Sequence, residues 1–167
     1  MRKNLENLTE KELSYLAGFI DGDGSIFSQI IEGSAYKYGF TIRVSIVLFQ
    51  KKDKKWFLMQ MHDLLGFGIL RERNDGMMEY VISSFAAVEK LLFLLKPFVI
   101  LKKNILIKCL EILQLKKNVK NVDDFLKLCY LVDLTVVENY SKKRTINFTY
   151  VKSKLKNKFP LETLQKD

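Results

Sequence analysis

Cysteine is nearly absent: Cys109 and Cys129 are the only two in 167 residues. They are too few for a disulfide framework, and they lack metal-site spacing. They read as two small apolar side chains of a buried core. Proline occurs twice and histidine once, at His62, which is read as solvated or packed and is assigned no chemistry. No apolar run approaches the ~20 residues that a spanning helix needs, so no membrane-spanning role is expected. Residues 1–6 carry an acid and no apolar stretch, which argues against a secretory signal. What is present is ample: 48% hydrophobic and 28% charged residues can build a core under a solvated surface, which excludes intrinsic disorder. A soluble intracellular protein with one domain over residues 1–155 is expected, followed by a frayed, lysine-rich tail at 156–167.

Acid is in deficit on one side of the chain. Residues 1–95 hold 12 Lys+Arg against 12 Asp+Glu, whereas residues 96–167 hold 16 against 7. The whole net charge of +9 therefore sits in the second part. A field of this sign favours a polyanion, either nucleic acid or an anionic membrane surface. Lysine greatly outnumbers arginine, the composition of an A/T-rich genome such as an organelle's.

Leu8-Thr9-Glu10-Lys11-Glu12-Leu13 reads as a helix start, with Thr9 as N-cap, Glu12 closing a capping box, and Leu8 and Leu13 as a hydrophobic staple. This helix is expected to run to about Gly22. Strands follow at 24–32 and 40–50, the second alternating apolar and polar residues. A helix opening at Asp53 is ended by Gly66. Strands at 67–73 and 77–83 flank Asn74-Asp75-Gly76, a hairpin signal. Helices are expected at 85–95, 101–116 and 122–138, then a polar break at 139–143 and a last helical stretch. The fold class is α+β: helix–strand–strand–helix–strand–strand–helix with C-terminal helices, and a four-stranded antiparallel sheet covered on one face.

The first helix is apolar on two sides. Leu13, Leu16, Ala17 and Ile20 form one stripe; Tyr15, Gly18, Phe19 and Gly22 form another. Such a helix must be covered twice, once by its own sheet and once by something else. Gly18 and Gly22 lie four apart, which lets a second helix approach closely. At the C-terminal end, Asp21 and Asp23 add charge where the helix dipole is already negative, at a cost of a few tenths to ~1 kcal/mol each. A carboxylate beside an exposed backbone carbonyl suits a hard cation such as Mg²⁺; a polar turn of Asp and Gly fits the same four letters. A calcium-binding EF-hand loop fails on counting, because its sixth position would be Ile26 where glycine is required.

Leu16-Ala17-Gly18-Phe19-Ile20-Asp21-Gly22-Asp23-Gly24 resembles the LAGLIDADG motif at seven of nine positions, differing at Phe19 and Gly22. Resembling segments extend from about Leu13 to residue 150 and include Tyr36-Lys37, Trp56-Phe57-Leu58, Arg71-Glu72-Arg73, Pro97-Phe98 and 129–133. The chain is similar to single-motif LAGLIDADG homing endonucleases of the organelle-intron type, and no second motif is found. The resemblance implies a homodimer that cuts both strands of a long pseudo-palindromic DNA site across the minor groove. The motif helices form the interface, with Tyr15, Gly18, Phe19 and Gly22 as its seam. Each copy lays a curved sheet into the major groove as a saddle, and the gene lies in a chloroplast or mitochondrial intron. Double-stranded DNA and a second copy are then the partners, with no membrane and no small-molecule substrate.

The resemblance also implies a metal site, with Asp23 and the Gly22 carbonyl as ligands, Mg²⁺ as cofactor, Mn²⁺ as a substitute and Ca²⁺ binding without cleavage. Two Asp23 carboxylates ~6 Å apart would repel by ~3 kcal/mol at an effective dielectric of ~20, which a divalent cation removes. Gln50 matches a position that orders water near the metal. Strict parity puts Gln50 with core-facing Leu48, so the strand is expected to end or bulge there. Lys102 matches a basic residue that stabilises developing negative charge. Lys54 stands where close relatives have arginine and lacks its planar fork; Asp21 is not the expected catalyst.

The DNA-facing set follows from parity: Phe27, Gln29 and Ile31 on the first strand, Thr41, Arg43, Ser45 and Val47 on the second, Arg71, Arg73, Glu79 and Val81 on the hairpin. Tyr36 joins them, and Lys37, Lys142 and Lys143 are expected on phosphates. Apolar Ile31 and Val47 imply a target different from those of close relatives. Two other readings remain beside the endonuclease. One is a maturase-like splicing cofactor or non-cleaving DNA-binding module on the same scaffold; the other is an Asp-Gly-Asp enzyme acting on a nucleotide-sugar, for which the nucleotide-binding region is missing.

Overall fold

The computed structural model describes residues 5–138 and 144–158. Between a short 3₁₀ turn at Leu5–Asn7 and the C-terminal helices the order is α1 (Glu10–Asp23), β1 (Gly24–Glu32), β2 (Phe40–Lys51) and α2 (Lys55–Leu65). Then come β3 (Ile69–Glu72), β4 (Met77–Ile82), α3 (Phe85–Leu95), α4 (Lys103–Lys117), α5 (Val122–Glu138) and α6 (Phe148–Lys156). The expected tail begins inside α6, and residues 159–167 lie outside the described ones.

α1 starts as its sequence dictates. The Glu12 N–H donates to the Thr9 hydroxyl at 3.3 Å, and the Thr9 N–H donates to the Glu12 carboxylate at 2.9 Å, which satisfies two amides that a helix start leaves open. The hairpin between β3 and β4 closes through Arg73 N–H to Met77 O at 2.8 Å. Gly76 takes φ 78°, a left-handed position that a side chain would strain. β3 starts at Ile69 rather than residue 67 because Gly66 and Gly68 adopt φ 80° and 88°, which no strand residue holds. α2 begins two residues later than expected, since Lys52–Lys54 form a 3₁₀ turn without a side chain to cap a helix there. α4 likewise begins at Lys103, for a reason given below.

The four strands lie in the order β1-β2-β4-β3, each antiparallel to its neighbours. β1 pairs with β2 along its whole length, from Gly24 opposite Leu48 to Glu32 opposite Phe40. β4 pairs only with Ile46–Lys51, so the first half of β2 has a strand on one side alone. The helices cover one face: α1, α3, α4 and α5 pack on β1 and β2, and α2 on β2, β3 and β4. The core between them includes Ile26, Ile46, Leu48, Tyr80 and Ile82 of the sheet, with Leu16, Ala17 and Ile20 of α1. Each fully buried leucine or isoleucine there contributes roughly 1.5–3 kcal/mol. Ser28 and Thr135, a buried polar pair in this interface, are hydrogen-bonded at 2.9 Å.

Candidate active site and nucleic-acid interface

The two acids that end α1 have opposite surroundings. Asp21 is occupied: one carboxylate oxygen accepts from Ile100 N–H at 2.8 Å and Leu101 N–H at 3.0 Å, the other from Lys102 N–H at 3.0 Å. These are the amides leading into α4, whose own N-cap, Lys102, gives no side-chain acceptor. Asp21 caps α4 from another helix, and its grip holds 100–102 in a turn, so α4 starts at Lys103. Burial pushes the Asp21 carboxyl up, but the three N–H donors and Lys102 outweigh it and hold it below the ordinary value of 3.8.

A carboxyl depressed in the folded state stabilises the fold in full above its ordinary value and ceases to do so as pH falls through the lower folded value. Asp21→Ala is expected to cost about 1–2 kcal/mol, as the loss of a cap does. Its melting temperature should fall by about 2–8 °C at neutral pH, with the gap to wild type closing toward pH 2. Calorimetry across that range checks both.

Asp23, by contrast, is exposed, with exposed Gly22 before it. A Cβ built on Gly22 would meet nothing within 4 Å, so the end of α1 is open on this side. Lys102 lies on the other side, its ammonium donating to the carbonyls of Ile20 and Asp21, each at 2.7 Å. Burial lowers the Lys102 pKa, and the attraction of Asp21 and Asp23 acts against that. The ammonium thus neutralises the negative end of the helix and stands near Asp23. Hard oxygen donors, the exposed Asp23 carboxylate beside exposed Gly22 with its backbone carbonyl, fit Mg²⁺, which takes few protein ligands and keeps waters. Among the described residues no three His, Cys, Asp or Glu side chains gather as a metal site; of the two acids at this helix end, Asp21 is engaged by amides and Asp23 is exposed.

Gln50 lies two positions past the residue facing Gly24, at the corner where α1 passes into β1. No bulge forms, since Leu48, Phe49, Gln50 and Lys51 pair in sequence with Tyr80, Glu79, Met78 and Met77, and β2 ends one residue past Gln50, at Lys51. Gln50 is half-buried with the parity of Leu48, in the part of β2 that runs past the start of β1. Lys54 is exposed and ends the 3₁₀ turn before α2, four residues further along.

Around this corner runs an apolar surface along α1. Tyr15 is 59% exposed, Gly18 is exposed, and a Cβ on Gly18 would touch nothing. Phe19 stacks on Phe57 at 4.7 Å between ring centroids, and Phe57 also meets Tyr15 and Trp56. Ile100 and Leu101, whose amides Asp21 holds, are 83% and 77% exposed. Sequence reasoning missed these last residues and the Asp21 cap. One signal was there: Leu101-Lys102-Lys103 supplies no capping side chain, and lysines repel a helix N-terminus, so an acid from elsewhere was needed.

The register bears out the parity of the uncovered face. Phe27 lies opposite Ser45, Gln29 opposite Arg43, and Ile31 opposite Thr41; Val47 lies opposite Val81, and Arg71 opposite Glu79. Exposure differs along it. Arg43, Arg71 and Arg73 are exposed, whereas Val47 and Glu79 are 4% exposed. Glu79 is clamped by Arg71 Nε and, at 3.0 Å, by Arg73 Nη1, while Arg73 also reaches Asp75 at 2.9 Å. Glu79 thus orients two exposed arginines on this face. Tyr36 and exposed Lys37 sit in the turn joining β1 and β2. Lys142 and Lys143 lie outside the described residues.

The LAGLIDADG endonuclease family matches residues 16–110. The chain is 36% identical over 135 residues to the DNA endonuclease I-CreI of Chlamydomonas reinhardtii, covering 79% of this chain and 81% of that protein. It is 32% identical to the DNA endonuclease I-CvuI of Chlorella vulgaris over 87% of this chain and 90% of that one. A crystal structure of I-CvuI, in complex with the I-CreI target in the presence of Mg and with the DNA not cleaved, superposes with a TM-score of 0.83. It is 31% identical, over 89% of this chain and 94% of that one.

Proposed function

Because the chain belongs to the LAGLIDADG endonuclease family, we propose that it is a site-specific DNA endonuclease. It works as a homodimer on a long pseudo-palindromic duplex and depends on a divalent metal. The observation that carries this reading is the division of labour at the end of α1: Asp21 is engaged by three amides, while Asp23 stands exposed beside two glycines.

The uncovered sheet face would lie in the major groove, with Gln29, Thr41, Arg43, Arg71 and Arg73 toward base edges. The apolar surface on α1 would meet its copy about a two-fold axis, so that one Asp23 from each chain serves the two strands across the minor groove. Asp23 and the Gly22 carbonyl would hold Mg²⁺, which when bound neutralises charge on the scissile phosphate and activates water. Lys102, fixed by two carbonyls, offers its positive charge to the oxygen that becomes negative as the phosphodiester opens. Gln50 would orient water at the corner, and Lys54 adds charge without arginine's planar fork. An intron in an organelle genome is the setting this reading gives to the gene.

Incubation with duplex spanning the gene's own insertion site tests the reading. Binding is expected in both Ca²⁺ and Mg²⁺, with both strands cut in Mg²⁺ or Mn²⁺ alone. A bound site left uncut in Mg²⁺ would support the non-cleaving scaffold instead.

A further inference from the structure

The half of β2 that β4 leaves unpaired faces a cavity of about 220 Å³, lined by Tyr36, Thr41, Arg43, Ser83, Phe85 and Lys116 among others. Its charged groups are Arg43 and Lys116, and no Asp or Glu lines it. Lys116 comes from the last turn of α4, passes over the Phe85 ring at 5.6 Å and donates to the Ile42 carbonyl at 2.6 Å. Ile42 is the residue between Thr41 and Arg43, so the ammonium is anchored at the rim of the DNA-facing surface. An ammonium has three donors, and this contact uses one.

Burial, and then Arg43, lower the Lys116 pKa. The neighbouring Lys117 is paired instead, with Glu89 at 2.5 Å. Two cations facing one cavity without an acid, among the hydroxyls of Tyr36, Thr41 and Ser83, make a donor set for an oxyanion. The cavity opens beside residues that face bases, where a duplex laid on the sheet would bring its backbone.

On the endonuclease reading above, we propose that this cavity receives a backbone phosphodiester of the bound DNA, with Lys116 as its anchored cation. A phosphate held there sets the height and register of the duplex over Thr41 and Arg43 while carrying no sequence information itself.

The test compares wild type, Lys116→Met, which keeps the stem over Phe85, and Lys116→Arg, which restores the charge. Duplex affinity is measured in Ca²⁺ from 50 to 200 mM salt. One phosphate contact contributes about 0.9 to the slope of log K against log salt, so losing one per copy should flatten it by about 1.8. Over that range the salt effect shrinks by about tenfold, and Lys116→Arg regains it. Preference at every base pair should stay unchanged, since a phosphate contact weakens all sequences alike. Of the positions where a neutral methylphosphonate weakens wild type, one per half-site should leave Lys116→Met unaffected.

An unchanged slope in a folded Lys116→Met, or a loss confined to one base pair, would overturn the proposal and leave Lys116 as a brace for β2. Inorganic phosphate that stabilises wild type over Lys116→Met, together with a duplex salt slope that Lys116→Met leaves unchanged, would assign the cavity to free phosphate and overturn it too. These failures leave DNA cutting intact; a wild type that neither binds nor cuts duplex would refute the endonuclease reading itself.

Discussion

Asp23→Asn is expected to leave DNA affinity within about twofold and to slow cleavage by about 10³-fold or more, some 4 kcal/mol of transition-state stabilisation. The amide has the carboxylate's shape but is a poor ligand for a hard cation. Because Asp23 is exposed at the negative end of α1, removing its charge should not harm the fold. Its stability should stay level to within a few tenths of a kcal/mol, the repulsion lost at the helix end being offset by the attraction lost to Lys102. Activity down and stability level is the opposite of what Asp21→Ala should do, where the fold weakens because three amides lose their acceptor. Single-turnover cleavage and thermal melts on the two variants separate the roles. Undiminished cleavage by Asp23→Asn would remove the metal assignment.

Gly18→Leu should likewise act with opposite signs on two measurements. In the isolated chain a Cβ at Gly18 touches nothing, and leucine is a better helix former than glycine by about 0.8–1 kcal/mol. The monomer's melting temperature should therefore rise by about 2–4 °C. In a two-fold interface the new side chain enters twice, and overpacking of this kind costs roughly 1–3 kcal/mol per site. Association should weaken by about 10²-fold or more, and cleavage should fall with it at dilute protein. Sedimentation at several concentrations reads the first effect; a Gly18→Leu chain still dimeric at the wild-type concentration would place the interface off α1.

Much of this arrangement was legible residue by residue. Thr9 and Glu12 announced α1, the alternation from Phe40 to Leu48 assigned the two faces of β2, and Asn74-Asp75-Gly76 marked the hairpin, because each signal is local. Three features were not legible, each for want of tertiary information. Asp21 is not the expected catalyst and its own role is hidden, because its partners, 79–81 positions away at the uncapped start of α4, are not visible in the sequence. Gln50 is expected to mark a strand end or a bulge, and β2 runs unbroken through it to end at Lys51, past the start of β1. Glu79 had the parity of a base-reading residue, but two arginines bury it. Strand order was also hidden, and with it the unpaired edge of β2 where Lys116 lies.

The central claim is that two copies each contribute one Asp23 to the cutting of one duplex. Sedimentation equilibrium of the complex in Ca²⁺, followed by addition of Mg²⁺ to the same sample, tests it most directly. Two chains per duplex, and both strands cut after Mg²⁺, is the predicted result. One chain per duplex with both strands cut would contradict it.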